Sequence, residues 1–146
     1  MNVTMLLADS AQVADGKLYI LGGGWSITGP DPTPSAVAMK VGVDEHEFNE
    51  NHHWELFLED ADGQLVQFET PEGTQTIEVR GDFSATSPVG VAPGTPVDVP
   101  IAVNFGPIPL GPAARFTWRM VIDGESLPGG TVSFSTRPMA ELSEGA

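Results

Sequence analysis

Glycine and proline interrupt this sequence so often that few segments between them are long enough for an ordinary helix. Seventeen glycines and thirteen prolines are spread over 146 residues, and the apolar segments between them are short. Short apolar segments bounded by glycine- and proline-containing turns are typical of β-sandwiches and barrels. The sequence therefore predicts an all-β fold with many short strands.

The clearest strand pattern lies at residues 114–123. Apolar side chains occupy every second position within it, namely Phe116, Trp118, Met120 and Ile122. A two-residue period places such side chains on one face of a strand, where they pack against a core. Residues 131–136 have the pattern of a final strand, and we expect the two strands to pair as a closing hairpin across a loop at residues 124–130.

A second hairpin is predicted at residues 52–69. Trp54, Leu56 and Leu58 share one face of the first strand, and Glu55, Phe57 and Glu59 share the other. Asp62-Gly63 is a strong two-residue turn signal, and residues 65–68 form the returning strand. A helix is the alternative, because the apolar residues of this segment also fit the spacing of one helical face. The poor helix formers before the segment and the Asp-Gly turn directly after it favour the strand.

Further strands are predicted at five places, residues 3–8, 17–27, 36–43, 76–83 and 97–105. Pro100 points to an edge position or a bulge for the last of these strands, because proline cannot donate to a ladder of hydrogen bonds. About eight short strands in sequential hairpins suit two packed antiparallel sheets. We therefore expect a single antiparallel β-sandwich at residues 1–138, followed by a flexible tail at residues 139–146.

The charge of the chain excludes several classes of partner. The chain has twenty acidic residues and only six basic ones, which gives a net charge of −14. Nucleic acids and anionic membrane surfaces are bound by clusters of basic residues, which this composition cannot supply, so we expect neither as a partner. Ordinary solubility explains the acidic residues, with a basic partner or a cation as the alternative.

Cysteine is absent from the sequence, which removes disulfides, zinc sites built from thiolates and cysteine nucleophiles together. Its absence suits a reducing compartment. The first nine residues lack the basic region of a signal peptide, and no apolar stretch approaches the length of a membrane span. The sequence therefore predicts a soluble cytoplasmic protein.

The run Gly22-Gly23-Gly24-Trp25 is the most unusual stretch of the sequence. A phosphate-binding loop needs defined glycine spacing, a following helix and usually a lysine, and none of these is found here. A glycine bulge in a strand, which lets Trp25 or a neighbouring backbone come close, explains the run better. Gly23, Gly24 and Trp25 are the candidate residues for binding a ligand or a partner, although core packing is the simpler explanation of Trp25.

His46, His52 and His53 lie among four acidic residues and form the densest group of potential metal ligands. Helical two-histidine zinc motifs place their histidines four residues apart with a glutamate between them, and that spacing is absent. His52 and His53 are adjacent and point to opposite faces of a regular strand, which makes it hard for both to bind one metal. A polar loop before a strand is the simpler interpretation, and a metal site at these three histidines is the alternative.

Four segments carry a resemblance to a known family: LADSA at residues 7–11, GKLYILGG at 16–23, WELFLEDADG at 54–63 and FTWRMVIDGE at 116–125. In these segments the chain resembles a family of uncharacterised small bacterial proteins. The resemblance covers most of the chain and implies an immunoglobulin-like or related β-sandwich without an assigned activity. The chain departs from antibody-type domains because it has no cysteine pair and no tyrosine at the corner position.

The sequence supports three hypotheses about function. Because no catalytic constellation is evident and stiff loops suit the presentation of a surface, the leading hypothesis is a non-enzymatic interaction or assembly module of a cytoplasmic complex. It would use no cofactor and would bind a protein partner or itself. The second hypothesis is a sandwich that binds a small ligand or a carbohydrate near Trp25. The third is a metal-assisted hydrolase that uses His46, His52 or His53.

Overall fold

The computed structural model describes residues 1–139, which form eleven β-strands and a 3₁₀ turn at Glu45–Glu47. The strands are β1 (Asn2–Ala14), β2 (Lys17–Gly23), β3 (Ile27–Thr28), β4 (Ser35–Val43), β5 (His52–Asp60), β6 (Gln67–Thr70), β7 (Gly73–Thr76), β8 (Glu78–Phe83), β9 (Val97–Phe105), β10 (Arg115–Ile122) and β11 (Glu125–Thr136). No helix among the described residues is long and apolar enough to cross a membrane. The prediction of an all-β fold is confirmed.

The strands form two main sheets and a small ribbon. One sheet has the order β2-β1-β4-β9, the other has the order β3-β11-β10-β5-β8, and β6 pairs with β7. Neighbouring strands are antiparallel, except that β3 and β11 are parallel. The chain enters the second sheet briefly at β3, returns to the first at β4, and crosses again at β5. It returns to the first sheet at β9 and ends in the second with β10 and β11, so each sheet contains strands from both halves of the chain.

One hydrophobic core lies between the inner faces of the two sheets. Its most deeply buried side chains come from strands of both sheets and include Leu7, Val37, Met39, Val41, Leu56, Leu58, Trp118 and Met120. Burial of each apolar side chain of this size contributes about 1.5–3 kcal/mol relative to exposure. The alternation predicted at residues 116–122 is confirmed, because all four of its apolar side chains belong to this core.

The number of strands differs from the prediction of about eight. The segment at residues 17–27, predicted as one strand, is divided at the glycine run into β2 and β3, and residues 67–76 form the additional ribbon β6–β7. Gly22 and Gly24 have φ values of 62° and 92°, which a continuous strand does not adopt. Within residues 1–139, eleven strands therefore correct the predicted number.

The hairpin predicted at residues 52–69 is only partly correct. β5 is a strand and not the alternative helix, but it pairs with β10 and β8 rather than with the segment that follows it. The segment after the turn makes one isolated β-bridge to β5, between Leu65 and Glu59. The chain then continues into β6, which pairs with β7. The Asp60 carboxylate accepts hydrogen bonds from two backbone N–H groups of the turn, at 2.9 and 3.0 Å, so the turn closes locally without a long hairpin.

The closing hairpin forms as predicted, but its turn is shorter. Asp123-Gly124 connects β10 to β11, and the rest of the expected loop at residues 124–130 belongs to β11. The register of the pair shifts part-way along β10, so the extra residues of β11 form a bulge. The bulge brings Gly129 against the backbone of Val3 in β1, and the two sheets therefore touch at this point.

The edge position predicted from Pro100 is confirmed, because β9 is the last strand of its sheet. Pro100 lies opposite Lys40 of β4, and its missing N–H costs the ladder little at an edge. The tail predicted for residues 139–146 lies, from residue 140 onward, outside the described residues.

Candidate functional site

The glycine run after β2 brings Trp25 onto the core. Gly24 donates its backbone N–H to the carbonyl of Leu7, at 2.7 Å, and its φ of 92° lies in a region that favours glycine. The Trp25 ring then packs edge-on against Phe134, with the ring centroids 6.0 Å apart. Trp25 is partly buried and packs against the core.

Gly23 lies beneath an exposed apolar surface on the hairpin formed by β1 and β2. A Cβ atom at Gly23 would lie 2.6 Å from Ile20 Cγ2 and 3.3 Å from Leu6 Cδ2, so both side chains lie close over it. Five large apolar side chains of this hairpin are between 38% and 70% exposed, namely Leu6, Val13, Tyr19, Ile20 and Leu21. Successive residues of a strand point to opposite faces, so Tyr19 and Leu21 lie on one face of the hairpin and Ile20 on the other. The five residues, which flank the edge of β2 on both faces, are called the hairpin surface below. Clustered exposed apolar residues mark interaction sites, whereas isolated ones are ordinary.

β2 is also the least protected edge of the two sheets. Its outer side pairs with no strand among the described residues, and residues 18–23 contain neither a charge nor a proline. The other edges carry features that block the addition of a strand. β9 contains Pro100, β8 exposes Glu78 and Asp82, and β3 has only two residues. The edge of β2 is therefore the one best able to accept another strand.

Asn104 of β9 fixes the hairpin to the sheet. Its side-chain amide donates to the Ala11 carbonyl at 2.7 Å, and its amide oxygen accepts a hydrogen bond from the Ala11 N–H at 3.1 Å. Around this contact a second buried cluster contains the small side chains of Ala8, Ala36 and Ala38, which allow the strands to approach closely. The hairpin surface is therefore presented on an anchored element.

A family model matches most of the chain. It is described as a family of unknown function (DUF6941), and it covers residues 3–131. The chain belongs to this DUF6941 family. No curated protein and no solved structure matches the chain. The matched range includes the hairpin surface, Trp25 and all three histidines, so every candidate residue lies within the DUF6941 domain.

His52 and Asp123 form a polar pair at one edge of the DUF6941 domain. His52 is buried, its Nδ1 lies 2.7 Å from Asp123 Oδ2, and its Nε2 lies 2.8 Å from the carbonyl oxygen of Glu47. A carbonyl and a carboxylate oxygen accept hydrogen bonds, so this arrangement favours a protonated ring that donates from both nitrogens. The backbone N–H of His53 donates to the other carboxylate oxygen, at 2.9 Å.

The pKa values of both partners are shifted in the directions that favour this ion pair. Burial alone lowers the pKa of His52, but the hydrogen bonds to Glu47 and Asp123, together with the charge of Asp123, outweigh burial and raise the pKa above its ordinary value. Burial alone raises the pKa of Asp123, but the hydrogen bonds from His53 and His52 outweigh it and lower the pKa. Both shifts favour the charged forms of the two side chains.

Asp123→Asn is expected to remove part of the pH dependence of folding stability. Because the pKa of His52 is raised in the folded state, its contribution is complete below the ordinary histidine pKa and is lost as the pH rises through the raised value. The wild type should lose about 1 kcal/mol of unfolding free energy over that rise. This is below the usual contribution of a hydrogen bond to a charged group, because Asp123 is half exposed and solvent weakens the interaction. Asparagine tolerates the φ of 52° at this position.

Urea unfolding of the two proteins between about pH 6 and about pH 9 measures this effect. Asp98→Asn is the matched control, because it removes a carboxylate that pairs with Lys40 on the exposed surface. The control should keep the wild-type profile. Identical profiles for the wild type and Asp123→Asn would contradict the role given to the His52–Asp123 pair.

The three histidines predicted as metal ligands do not lie together in the structure. His46 lies with Asp44 and Glu47, and one ligand atom of each falls within 4.8 Å of the others. His52 has both ring nitrogens engaged in hydrogen bonds, and the Nδ1 atom of His53 lies 3.0 Å from an aspartate oxygen of β8. Neither belongs to the group around His46. A metal site in the DUF6941 domain stays a prediction that rests on His46.

The hairpin surface was not predicted as a site. The sequence signal was the run of four apolar residues at 18–21, which is typical of a strand that is buried on both faces. Leu18 meets that expectation, since it packs against the alanine cluster, whereas Tyr19, Ile20 and Leu21 are exposed. The missing charges and prolines at this edge were the available clue.

Proposed function

We propose that the protein is a non-enzymatic interaction module that assembles through β2, and that the strand added to this edge is β2 of a second copy. The observation that supports the proposal is the free edge of β2, which has no charged residue at positions 18–23, with the hairpin surface around it. Addition of a strand supplies main-chain hydrogen bonds for affinity, while the side chains on both faces supply specificity.

Two copies of β2 are complementary in an antiparallel arrangement centred on Ile20. In this arrangement Ile20 faces its own counterpart, Tyr19 faces Leu21, and Lys17 faces Gly23, so no like charges lie opposite each other. Aromatic and branched side chains in directly opposed positions stabilise antiparallel pairs. The arrangement has a two-fold axis, so it produces a closed dimer rather than an open filament.

Dimerisation is expected to strengthen as the salt concentration rises. Each copy has a net charge of −14, so two copies repel each other, while the proposed contact itself is apolar. Salt shortens the range of the repulsion from about 30 Å at about 0.01 M to about 8 Å at about 0.15 M. Sedimentation velocity at several protein concentrations and both salt concentrations measures the effect. A monomer under all conditions, or a dimer that weakens with salt, would contradict the proposal.

We also propose that the fold is related to immunoglobulin domains. The order β11-β10-β5-β8 opposite β1-β4-β9 corresponds to strands G, F, C and C′ opposite A, B and E. The ribbon β6–β7 and the hairpin strand β2 are then additions to that plan. An experimental structure with another strand order would contradict this assignment.

A cytoplasmic location is proposed from the absence of cysteine in all 146 residues, which suits a reducing compartment. The alternative of a ligand-binding sandwich is supported by a cavity beside Trp25. The metal-assisted hydrolase has only the exposed group at His46 in its favour.

A further inference from the structure

A groove of about 510 Å³ lies between the hairpin formed by β1 and β2 and the end of β9. β1 pairs with β4 only as far as Ala8 opposite Ala36. Past this point no strand of the described part of the chain pairs with β1 on that side, and Asn104 of β9 bonds to Ala11 instead. Small-molecule sites have volumes of about 300–1,000 Å³, so the groove is large enough for a ligand. It shares no lining residue with the cavity beside Trp25.

The walls of this groove combine hydroxyl and amide groups with apolar surface. Ser10 and Gln12 of β1 and Tyr19 and Leu21 of β2 line it. Gln12 lies opposite Tyr19 and Ser10 lies opposite Leu21, so the four side chains share one face of the hairpin. The side chains of Tyr19 and Leu21 are 49% and 70% exposed. A ligand in the groove therefore meets apolar surface and hydrogen-bonding groups side by side.

The side-chain amide of Asn104, which also lines the groove, is held in place by two hydrogen bonds. Such an amide has two N–H donors and two acceptor lone pairs, and the contact with Ala11 uses one N–H and one lone pair. One donor and one acceptor remain on this exposed residue. Because the amide is already oriented, a ligand that bonds to it pays little entropy to immobilise it.

The charge of the chain indicates which ligands suit the groove. None of its lining residues is charged, and Lys17, two residues from Tyr19, does not line it. The net charge of −14 repels anions at long range. A cation finds no carboxylate among the lining residues to pair with. The groove therefore favours an uncharged ligand with several hydrogen-bonding groups.

We propose that this groove binds a neutral saccharide. Sugar rings carry C–H groups that contact apolar side chains, here Tyr19 and Leu21, and hydroxyl groups that both donate and accept hydrogen bonds, here with Gln12 and Asn104. The proposal does not depend on dimerisation, because one copy supplies every lining residue of the groove. The proposed dimer uses the outer edge of β2, whereas the groove lies toward β1 and β9.

Titration of the protein with maltose and cellobiose, followed by NMR, tests the proposal. Tyr19 is the only tyrosine of the chain, so its ring signals report directly on the groove. These signals should shift in a saturable way with at least one of the two sugars, with a dissociation constant of about 1 mM. Glucuronic acid is the charged comparison and a blocked dialanine peptide is the amide comparison, and neither should saturate. No saturable shift with either sugar, or saturation with the acid or the peptide, would overturn the proposal.

Gln12→Ala tests the contribution of an amide in the groove. Sugar binding, followed on the Tyr19 signals, should weaken about fivefold, which is the loss of one neutral hydrogen bond. Gln75→Ala makes the same change at an exposed position of β7 outside the groove and should keep the wild-type affinity. Equal affinity for Gln12→Ala and the wild type would contradict the role given to this amide. Gln12 lies in β1, away from the outer edge of β2, so sedimentation velocity should show the same association for Gln12→Ala as for the wild type.

Discussion

Ile20→Lys is expected to abolish dimerisation at concentrations at which the wild type dimerises. In the antiparallel pairing of two β2 strands, Ile20 lies on the two-fold axis, so the substitution places two ammonium groups opposite each other. Like charges directly opposite in a sheet are destabilising, and lysine on an edge strand is a natural means of preventing strand addition. We expect affinity to fall by about 100-fold or more, which corresponds to about 2.8 kcal/mol.

Val89→Lys is the matched control for this experiment. Val89 lies in the loop between β8 and β9 and is fully exposed, and its substitution changes the net charge by the same amount. Both variants lower the overall repulsion between copies, so a loss of dimer in Ile20→Lys alone identifies the edge of β2. Sedimentation velocity measures the association, and thermal unfolding checks that each variant keeps its fold. A dimer that survives Ile20→Lys, or is lost equally in Val89→Lys, would contradict the proposed interface.

The core could be predicted from the sequence because burial follows alternation in its central strands. At Phe116, Trp118, Met120 and Ile122 every second side chain is apolar and buried, and Pro100 correctly indicated an edge. The pairing of β5 could not be predicted in the same way. Its neighbours β8 and β10 lie far along the chain, and the Asp-Gly turn after β5 carries no information about which strand returns beside it.

The exposure of the hairpin surface depends on the lengths of strands elsewhere. β1 pairs with β4 only as far as Ala8 opposite Ala36, because β4 begins at Ser35, after a proline-rich loop. The rest of the hairpin therefore extends past the end of β4 and leaves most of the apolar run at residues 18–21 outside the main core. No local pattern in that run distinguishes this position from a buried strand.

The polar site was predictable only where its members are close in sequence. The group of Asp44, His46 and Glu47 lies within four residues, and the sequence indicated it as a cluster. His52 and Asp123 are separated by 71 positions, and they meet because β5 and β10 are neighbours in the second sheet. Asp123 lies in the Asp-Gly turn between β10 and β11, which is an ordinary position for an aspartate, and its contact with His52 follows only from the strand order.

Gly129→Ala is expected to destabilise the fold by about 3 kcal/mol or more. Gly129 has a φ of 79°, and a side chain in that region costs about 1–2 kcal/mol. A Cβ atom at this position would also overlap the backbone carbonyl oxygen of Val3. A backbone atom cannot rotate away as a flexible side chain can, so β1 and the bulge of β11 would have to separate, and overpacking of this kind costs about 1–3 kcal/mol in addition.

Gly124→Ala separates these two costs. Gly124 has the same φ of 79°, in the turn between β10 and β11, but a Cβ atom there would meet no atom within 4 Å. Its substitution should therefore cost only the conformational part, about 1–2 kcal/mol. Urea unfolding of both variants gives the difference, which measures the contact between β1 and β11 where the two sheets touch. Equal losses of unfolding free energy would show that the sheets do not depend on this close approach. β1, which pairs with the proposed dimer edge β2, would then be held to the second sheet by other contacts.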